Sequence, residues 1–118
     1  MGPWPTEIRL TRDKGTLEVT FETGERFSLD AEYLRVESPS AEVKGHGGAM
    51  PPPVGGKVGV RISQVEAVGN YAVRLIFDDG HSTGLYSWDL LHALGAERAR
   101  RWAAYLARLK EFGLTRDR

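Results

Sequence analysis

Residues 69–89 read GNYAVRLIFDDGHSTGLYSWD and carry the clearest strand pattern in the chain. Alternate residues from 71 to 77 are tyrosine, valine, leucine and phenylalanine, the period-two pattern of a strand with one buried face. Residues 78–80 (Asp-Asp-Gly) favour a turn, and residues 82–86 can return as a second strand. Ser87 or Asp89 can then cap a short helix. The stretch therefore predicts a β-hairpin followed by a helix.

A weaker copy of this pattern lies 56 residues earlier in the chain. Residues 17–21 alternate, residues 22–24 (Glu-Thr-Gly) favour a turn, residues 26–29 can return, and Asp30 can cap a helix. Residues 7–10 are expected to form an edge strand, and Val58, Val60 and Ile62 a further strand. The repeat favours an α+β fold built from small antiparallel β-hairpin units with short helices after them.

Residues 96–112 predict a longer C-terminal helix with an apolar stripe of Ala99, Trp102, Ala103, Leu106 and Leu109. Gly113 is expected to end this helix, and residues 115–118 are expected to fray. If the stripe packs on the sheet, a monomer is expected. If the helix projects, its apolar side chains form a docking surface or a weak homodimer interface.

Length and composition limit the class of protein. The chain is expected to form a single domain over residues 1–118, with a C-terminal helix and tail at 95–118. The absence of cysteine excludes disulfides, thiolate metal sites and a cysteine nucleophile. Sixteen basic and sixteen acidic residues cancel, so binding to nucleic acid is not expected. Neither a membrane span nor a secretory signal is evident, and a cytoplasmic location is the simplest prediction.

Residues 44–57 read KGHGGAMPPPVGGK and contain little that can be buried. One interpretation is a loop that gates a ligand around His46. The composition favours the other, which is a surface loop without a ligand. A phosphate-binding loop is excluded because Gly56-Lys57 is followed by Val58 and not by serine or threonine.

Six short motifs occur in one order along the chain: Ile8-Arg9-Leu10, Tyr33-Leu34-Arg35, Ser38-Pro39-Ser40-Ala41, Val68-Gly69-Asn70-Tyr71-Ala72, Asp79-Gly80-His81 and Gly84-Leu85-Tyr86-Ser87-Trp88. Together they resemble the gamma-butyrobetaine hydroxylase-like N-terminal domain, also known as domain of unknown function 971. The resemblance covers residues 5–94, and the helix beyond Gly95 is similar to the tail of short, stand-alone bacterial members.

The resemblance implies a structural zinc site, which the family builds from three cysteines and a histidine. The matching positions in this chain are Ser38, Ser40, Val43 and His81. Two hydroxyls and a valine do not supply the thiolate or imidazole ligands that zinc prefers, so metal binding is expected to be lost. A hydrogen bond from His81 to Ser38 or Ser40 is expected in its place, and no cofactor is predicted.

The resemblance does not imply an enzyme. In the family, this domain precedes the oxygenase domain of carnitine-pathway hydroxylases and is fused to P-loop iron–sulfur carrier ATPases, and the hydroxylases place their iron ligands in a separate domain. Asp79 and His81 alone do not hold catalytic iron, and with Ser82 they do not converge as a nucleophilic triad. A non-catalytic accessory or interaction module is therefore expected, linked by the resemblance to iron–sulfur or quinone metabolism.

Five residues are candidates for a polar-aromatic patch that binds a protein partner: Asn70, Tyr71, His81, Tyr86 and Trp88. For Tyr71 and Trp88 the favoured alternative is burial in the core, because large rings contribute much of the buried area in a small domain. A different class of function is a small-ligand or metal-binding domain that uses His81 with neighbours such as His46.

Overall fold

The computed structural model describes residues 2–39 and 52–117. Within these residues, two three-stranded antiparallel sheets are each followed by a helix. The first sheet has the order β1 (Pro5–Leu10), β2 (Thr16–Phe21), β3 (Arg26–Asp30) and leads into α1 (Ala31–Val36). The second has the order β4 (Ile62–Val68), β5 (Ala72–Phe77), β6 (Leu85–Ser87) and leads into α2 (Trp88–Ala96) and α3 (Arg98–Glu111). The α+β prediction is confirmed.

The two sheets repeat one local arrangement. The central strands β2 and β5 begin and end 56 residues apart. The turns that follow them place Gly24 and Gly80 at φ angles of 93° and 94°, a region that glycine reaches without steric cost. The Gly24 N–H donates to the Phe21 carbonyl at 2.9 Å, and the Gly80 N–H donates to the Phe77 carbonyl at 3.1 Å. The repeat in the sequence is therefore a repeat of strand, turn and helix.

One hydrophobic cluster contains side chains from both sheets and from α1 and α2. The predicted alternation in β5 is confirmed at its centre, where Leu75 is fully buried and Arg74 is exposed. Two buried tyrosine hydroxyls connect the halves of the chain: Tyr33 donates to the Leu94 carbonyl at 2.7 Å, and Tyr86 donates to the Leu34 carbonyl at 2.6 Å. The further fully buried large side chains are Phe21, Phe77, Leu17, Leu29, Leu34, Ile62, Leu91, Leu94 and Val19.

Strand β4 differs from the sequence prediction. A strand was expected through Val58, Val60 and Ile62, but β4 only begins at Ile62 and extends to Val68. The backbone before it has other partners: the Val58 N–H donates to the Arg116 carbonyl at 3.1 Å, and the Val60 N–H donates to the Lys57 carbonyl at 3.1 Å. The strand predicted from the apolar alternation at 58–62 was therefore wrong before Ile62, because the backbone of Val58 bonds to the C-terminal segment and that of Val60 bonds within a turn.

Of the two predicted N-terminal caps, one is confirmed. The Ser87 hydroxyl accepts a hydrogen bond from the Leu90 N–H at 3.1 Å at the start of α2. Asp30 precedes α1 but its side chain makes no capping hydrogen bond. It instead pairs with Arg98 at 2.8 Å, which connects the start of α1 to α3.

Helix α3 packs on the rest of the chain with a different face from the one expected. Tyr105 and Leu109 are buried and Trp102 is half-buried, whereas Leu106 exposes 39% of its surface. Tyr105 stacks near Trp102 at a ring distance of 5.2 Å and donates its hydroxyl to the Val54 carbonyl at 2.5 Å. The predicted stripe is confirmed at Trp102 and Leu109 and was wrong at Ala99, Ala103 and Leu106, which are exposed, because Tyr105 with its hydrogen bond to Val54 occupies the inward face.

The end of α3 is ordered beyond the helix. Gly113 lies at φ 69°, and the N–H groups of Gly113 and Leu114 donate to the carbonyls of Lys110 and Leu109 at 3.1 and 2.8 Å. This is a Schellman arrangement, and the prediction that Gly113 ends the helix is confirmed. The expected fraying of residues 115–118 is contradicted at Thr115 and Arg116. The Gly56 N–H donates to the Thr115 carbonyl at 2.9 Å, and Arg116 makes two hydrogen bonds to the Glu32 carboxylate at 2.7 and 2.8 Å.

In the described part of the chain, no helix has the length and apolar character that crossing a membrane requires.

Candidate functional site

The five predicted binding residues do not form one patch. Asn70, Tyr71 and Trp88 lie together where β5 begins, whereas His81 follows the turn at the other end of that strand. Strand β5 lies between the two places, and its first and last residues are five steps, or about 17 Å, apart at roughly 3.3 Å per residue. Tyr86 is fully buried in the core between them. The predicted residues therefore belong to two separate sites and to the core.

The first site, here called the aromatic end, consists of Asn70, Tyr71 and Trp88. The Trp88 indole N–H donates to the Asn70 carbonyl at 2.7 Å, and the Trp88 backbone N–H donates to the Tyr71 carbonyl at 3.1 Å. Gly69 lies at φ 54°, and a Cβ there would be 3.0 Å from two ring carbons of Tyr71. The Tyr71 ring therefore lies against the backbone of a turn that glycine makes possible.

The exposure of Tyr71 distinguishes it from the other three tyrosines. Its exposed fraction is 55%, compared with 1% for Tyr33, 0% for Tyr86 and 6% for Tyr105. The expectation that Tyr71 belongs to the core is contradicted, because residue 71 precedes the paired part of β5 and lies in the turn that enters it. Trp88 is half-buried and packs against the core, so for this residue the core interpretation is confirmed in part.

The second site, here called the His81 cluster, is built around the turn between β5 and β6. The Phe77 N–H donates to the His81 carbonyl at 2.9 Å, and the Asp79 Oδ1 atom accepts from the His81 backbone N–H at 3.0 Å. The Asp79 Oδ2 atom contacts Arg35 Nε at 2.8 Å and Lys57 Nζ at 2.6 Å. Hydrogen bonds therefore hold the Asp-Gly-His turn, and the carboxylate also binds two cations that are distant in sequence.

The electrostatics of the cluster follow from these contacts. Only 12% of the Asp79 side chain is exposed, although its backbone lies on the surface. Burial alone raises the pKa of this carboxyl, but the Lys57 ammonium, the His81 N–H and the Arg35 guanidinium outweigh it. Together they hold the pKa of Asp79 well below its ordinary value of 3.8. The carboxylate is thus ionised at neutral pH and neutralised by its neighbours.

The hydrogen bond predicted between His81 and Ser38 is present. His81 Nε2 and Ser38 Oγ are 2.9 Å apart, and both residues are half-buried. Gly84 lies against this pair, because a Cβ there would be 2.4 Å from Ser38 Oγ and 3.2 Å from a ring carbon of Tyr86. Burial raises the pKa of Tyr86, so its hydroxyl stays protonated and donates to helix α1. Ser40, Val43 and His46 lie outside the described residues, as does most of the 44–57 loop.

Two charged partners of the His81 cluster, and one contact elsewhere in the fold, had no signal in the sequence. Arg35 and Lys57 reach Asp79 from 44 and 22 residues away along the chain. His92 on α2 contacts Glu25 Oε1 at 2.8 Å and lies edge-on to two phenylalanine rings. The 56-residue repeat does relate Glu25 to His81, since the two residues occupy equivalent positions after their turns. Among residues 2–39 and 52–117, no three histidine or acidic side chains converge as metal ligands.

A family model described as "Gamma-butyrobetaine hydroxylase-like, N-terminal" matches residues 8–92, which is most of the chain. The chain belongs to this family. The match includes both the His81 cluster and the aromatic end, and it confirms the family that the six sequence motifs resemble. No curated protein matches the chain.

Three solved structures share the fold at substantial identity. Two are NMR solution structures of proteins 45% and 43% identical to this chain, with TM-scores of 0.82 and 0.84. Both alignments cover 98% of this chain, and they cover 86% and 90% of the respective relatives. A crystal structure of a protein of unknown function from Acidithiobacillus ferrooxidans, a DUF971 family member, is 40% identical with a TM-score of 0.65. The alignment covers 79% of this chain and 93% of that relative. The function of the family is unknown, so these relatives do not assign a function to the present chain.

Proposed function

We propose that this protein is a non-catalytic interaction module that binds a protein partner through the aromatic end. The observation that carries this proposal is the exposure of Tyr71, at 55%, in a chain that buries its other three tyrosines. Tyrosine and tryptophan are enriched among the residues that contribute most to protein–protein binding, because they bury large areas with few rotatable bonds.

The aromatic end is also pre-organised. Both hydrogen bonds of Trp88, from the indole and from the backbone, hold it to residues 70 and 71. The Tyr71 ring rests against Gly69 and so has restricted freedom before any partner binds. Ordering fewer side chains on association lowers the entropic cost of binding.

The remaining polar groups support an interaction module over an enzyme. The carboxylate of Asp79 is already bound by two cations and an N–H group, and Ser38 and His81 bond to each other.

Four arginines of the C-terminal region pair with acidic side chains, which reduces the positive charge offered to nucleic acid: Arg98, Arg100, Arg101 and Arg116.

The family resemblance supports a partner that serves iron–sulfur or quinone metabolism. The proposal includes a cytoplasmic location for the protein and no bound cofactor. It makes no use of Tyr86, because the side chain of that residue is buried. His81 contributes by fixing the turn at the other end of β5.

Site-specific photocrosslinking tests the proposal. A photoreactive phenylalanine analogue is placed at position 71 and, in a matched control, at Leu106, which is 39% exposed on α3. Both proteins are irradiated in lysate of the native cells. We expect one defined crosslinked protein from position 71 and none from position 106. Crosslinking from position 106 alone would favour the docking surface on the C-terminal helix, and equal background from both would contradict the proposal.

A further inference from the structure

A cleft of about 450 Å³ lies between the first strands of the two sheets. Its lining comprises Ile8 and Leu10 of β1, Lys14 of the turn after β1, and residues 63–66 of β4. The volume is within the range of clefts that bind ligands. None of the residues of the aromatic end or the His81 cluster lines it, so it is a separate surface.

Strand β4 presents its backbone edge to this cleft. Successive side chains of a strand point to opposite faces, so four successive residues line one cleft when the edge of the strand faces it. Within the described sheets β4 is hydrogen-bonded to β5 alone, which leaves its other edge without a strand partner. At the beginning of β4 the Ile62 N–H donates to the Lys14 carbonyl at 2.8 Å, which joins the start of β4 to the turn after β1.

Strand β1 supplies the apolar side of the cleft. Ile8 and Leu10 are two residues apart and therefore share one face of β1. Both are half-buried and pack against the hydrophobic core, which fixes their positions. Lys14 also lines the cleft, and no carboxylate within residues 2–39 and 52–117 pairs with its ammonium group.

We propose that this cleft binds an extended peptide segment of a partner protein, which adds to β4 as a fourth strand of the second sheet. Unpaired N–H and C=O groups on a sheet edge bind an extended backbone through ladder hydrogen bonds. Alternate apolar side chains of the peptide lie over Ile8 and Leu10, and an acidic side chain pairs with Lys14. The charge of Lys14 favours an acidic segment over a basic one, because the other charged side chain of the lining, Glu66, is already paired with Arg74.

The probe is a phage-displayed library of random twelve-residue peptides, selected on the wild-type protein. We expect enriched sequences with apolar residues at alternate positions and an acidic residue at one end. The selected peptide is synthesised, and amide NMR spectra are expected to show shifts at residues 63–66. N-methylation of alternate peptide residues is expected to weaken binding by about tenfold or more, because it removes ladder hydrogen bonds. Lys14→Glu is expected to weaken binding by about fivefold, with Lys110→Glu on α3 as the unchanged control.

Several results would overturn the proposal. These are the absence of enriched peptides, peptides that shift Tyr71 without shifting residues 63–66, or affinity unaffected by N-methylation. Shifts at residues 63–66 that depend on protein concentration without peptide would show that a second copy of the chain occupies the edge. Failure here is independent of the crosslinking at position 71, because the two surfaces share no residue.

Discussion

Substitution of Asp79 by asparagine removes the charge at the centre of the His81 cluster while preserving the size of the side chain. In the native chain this carboxylate binds Arg35 at 2.8 Å, Lys57 at 2.6 Å and the His81 N–H at 3.0 Å. Asp79→Asn leaves two cations without their counter-charge in a place where the side chain of residue 79 is 12% exposed. Asp78→Asn is the matched control, because Asp78 is exposed and its side chain accepts one hydrogen bond from the Arg61 N–H.

The magnitude follows from the number and burial of the contacts. Hydrogen bonds to charged groups contribute about 1.5–3 kcal/mol each, and exposed ion pairs contribute about 0.2–1 kcal/mol. Because Arg35 and Lys57 are 13% and 22% exposed, part of their attraction to Asp79 is screened by solvent. We expect Asp79→Asn to lower the free energy of unfolding by about 2 kcal/mol at pH 7, and Asp78→Asn by less than about 0.5 kcal/mol.

The pH dependence of this difference tests its electrostatic origin. The pKa of Asp79 is lowered in the folded state, so its stabilising contribution is fully present above the unfolded-state pKa near 3.8. The contribution is lost as pH falls from there toward the lower folded-state pKa. In that window the difference between wild type and Asp79→Asn is expected to shrink by about 1.4 kcal/mol per pH unit.

Urea unfolding followed by circular dichroism, at pH 7 and at pH 2.5, measures the difference. We expect about 2 kcal/mol at pH 7 and a difference close to zero at pH 2.5. A loss of 2 kcal/mol that is equal at both pH values would show that asparagine disrupts packing and not charge. No loss at pH 7 would refute the role of Asp79 in holding the turn.

Three further substitutions test other parts of the structure by urea unfolding. Gly84→Ala is expected to lower the free energy of unfolding by about 1–3 kcal/mol, because the new Cβ displaces the hydroxyl of Ser38. Most of that loss should disappear in a Ser38→Ala background, and equal losses in both backgrounds would contradict the contact. Tyr86→Phe removes a buried hydrogen bond to helix α1 and should cost about 1–2 kcal/mol, whereas an unchanged midpoint would argue against that bond. Arg116→Ala leaves the buried carboxylate of Glu32 unpaired and should cost about 1–2 kcal/mol, a loss that a frayed C-terminus would not produce.

Local patterns in the sequence predicted the parts of the fold that local chemistry determines. The alternation at 17–21 and 73–77 corresponds to strands β2 and β5, because side chains of period two bury one face of a sheet. Gly24, Gly80 and Gly113 all adopt the positive φ angles that their turns and helix end require. Ser87 caps α2 through a bond to a residue three positions later.

The parts that sequence did not predict depend on contacts between distant residues. The alternation at Val58 to Ile62 looks like a strand, but the C-terminal segment binds that backbone. Tyr71 continues the apolar alternation of β5 yet lies in a turn outside the sheet, and is exposed. The ion pairs of Asp79 join side chains from three separate segments, so no local spacing reveals them. The five residues predicted as one binding patch lie in two sites and the core. Tyr71 and His81 lie beyond opposite ends of β5, and those ends are about 17 Å apart.

The most direct test of the proposed function uses the partner protein that is crosslinked at position 71. Isothermal titration with purified components measures the affinity of this partner for the present chain. Wild type, Tyr71→Ala and the control Leu106→Ala are compared, after urea unfolding has shown that all three fold. We expect Tyr71→Ala to weaken binding by about tenfold or more and Leu106→Ala to leave it unchanged. Equal affinity of wild type and Tyr71→Ala for the captured protein would contradict the assignment of the aromatic end as the binding surface.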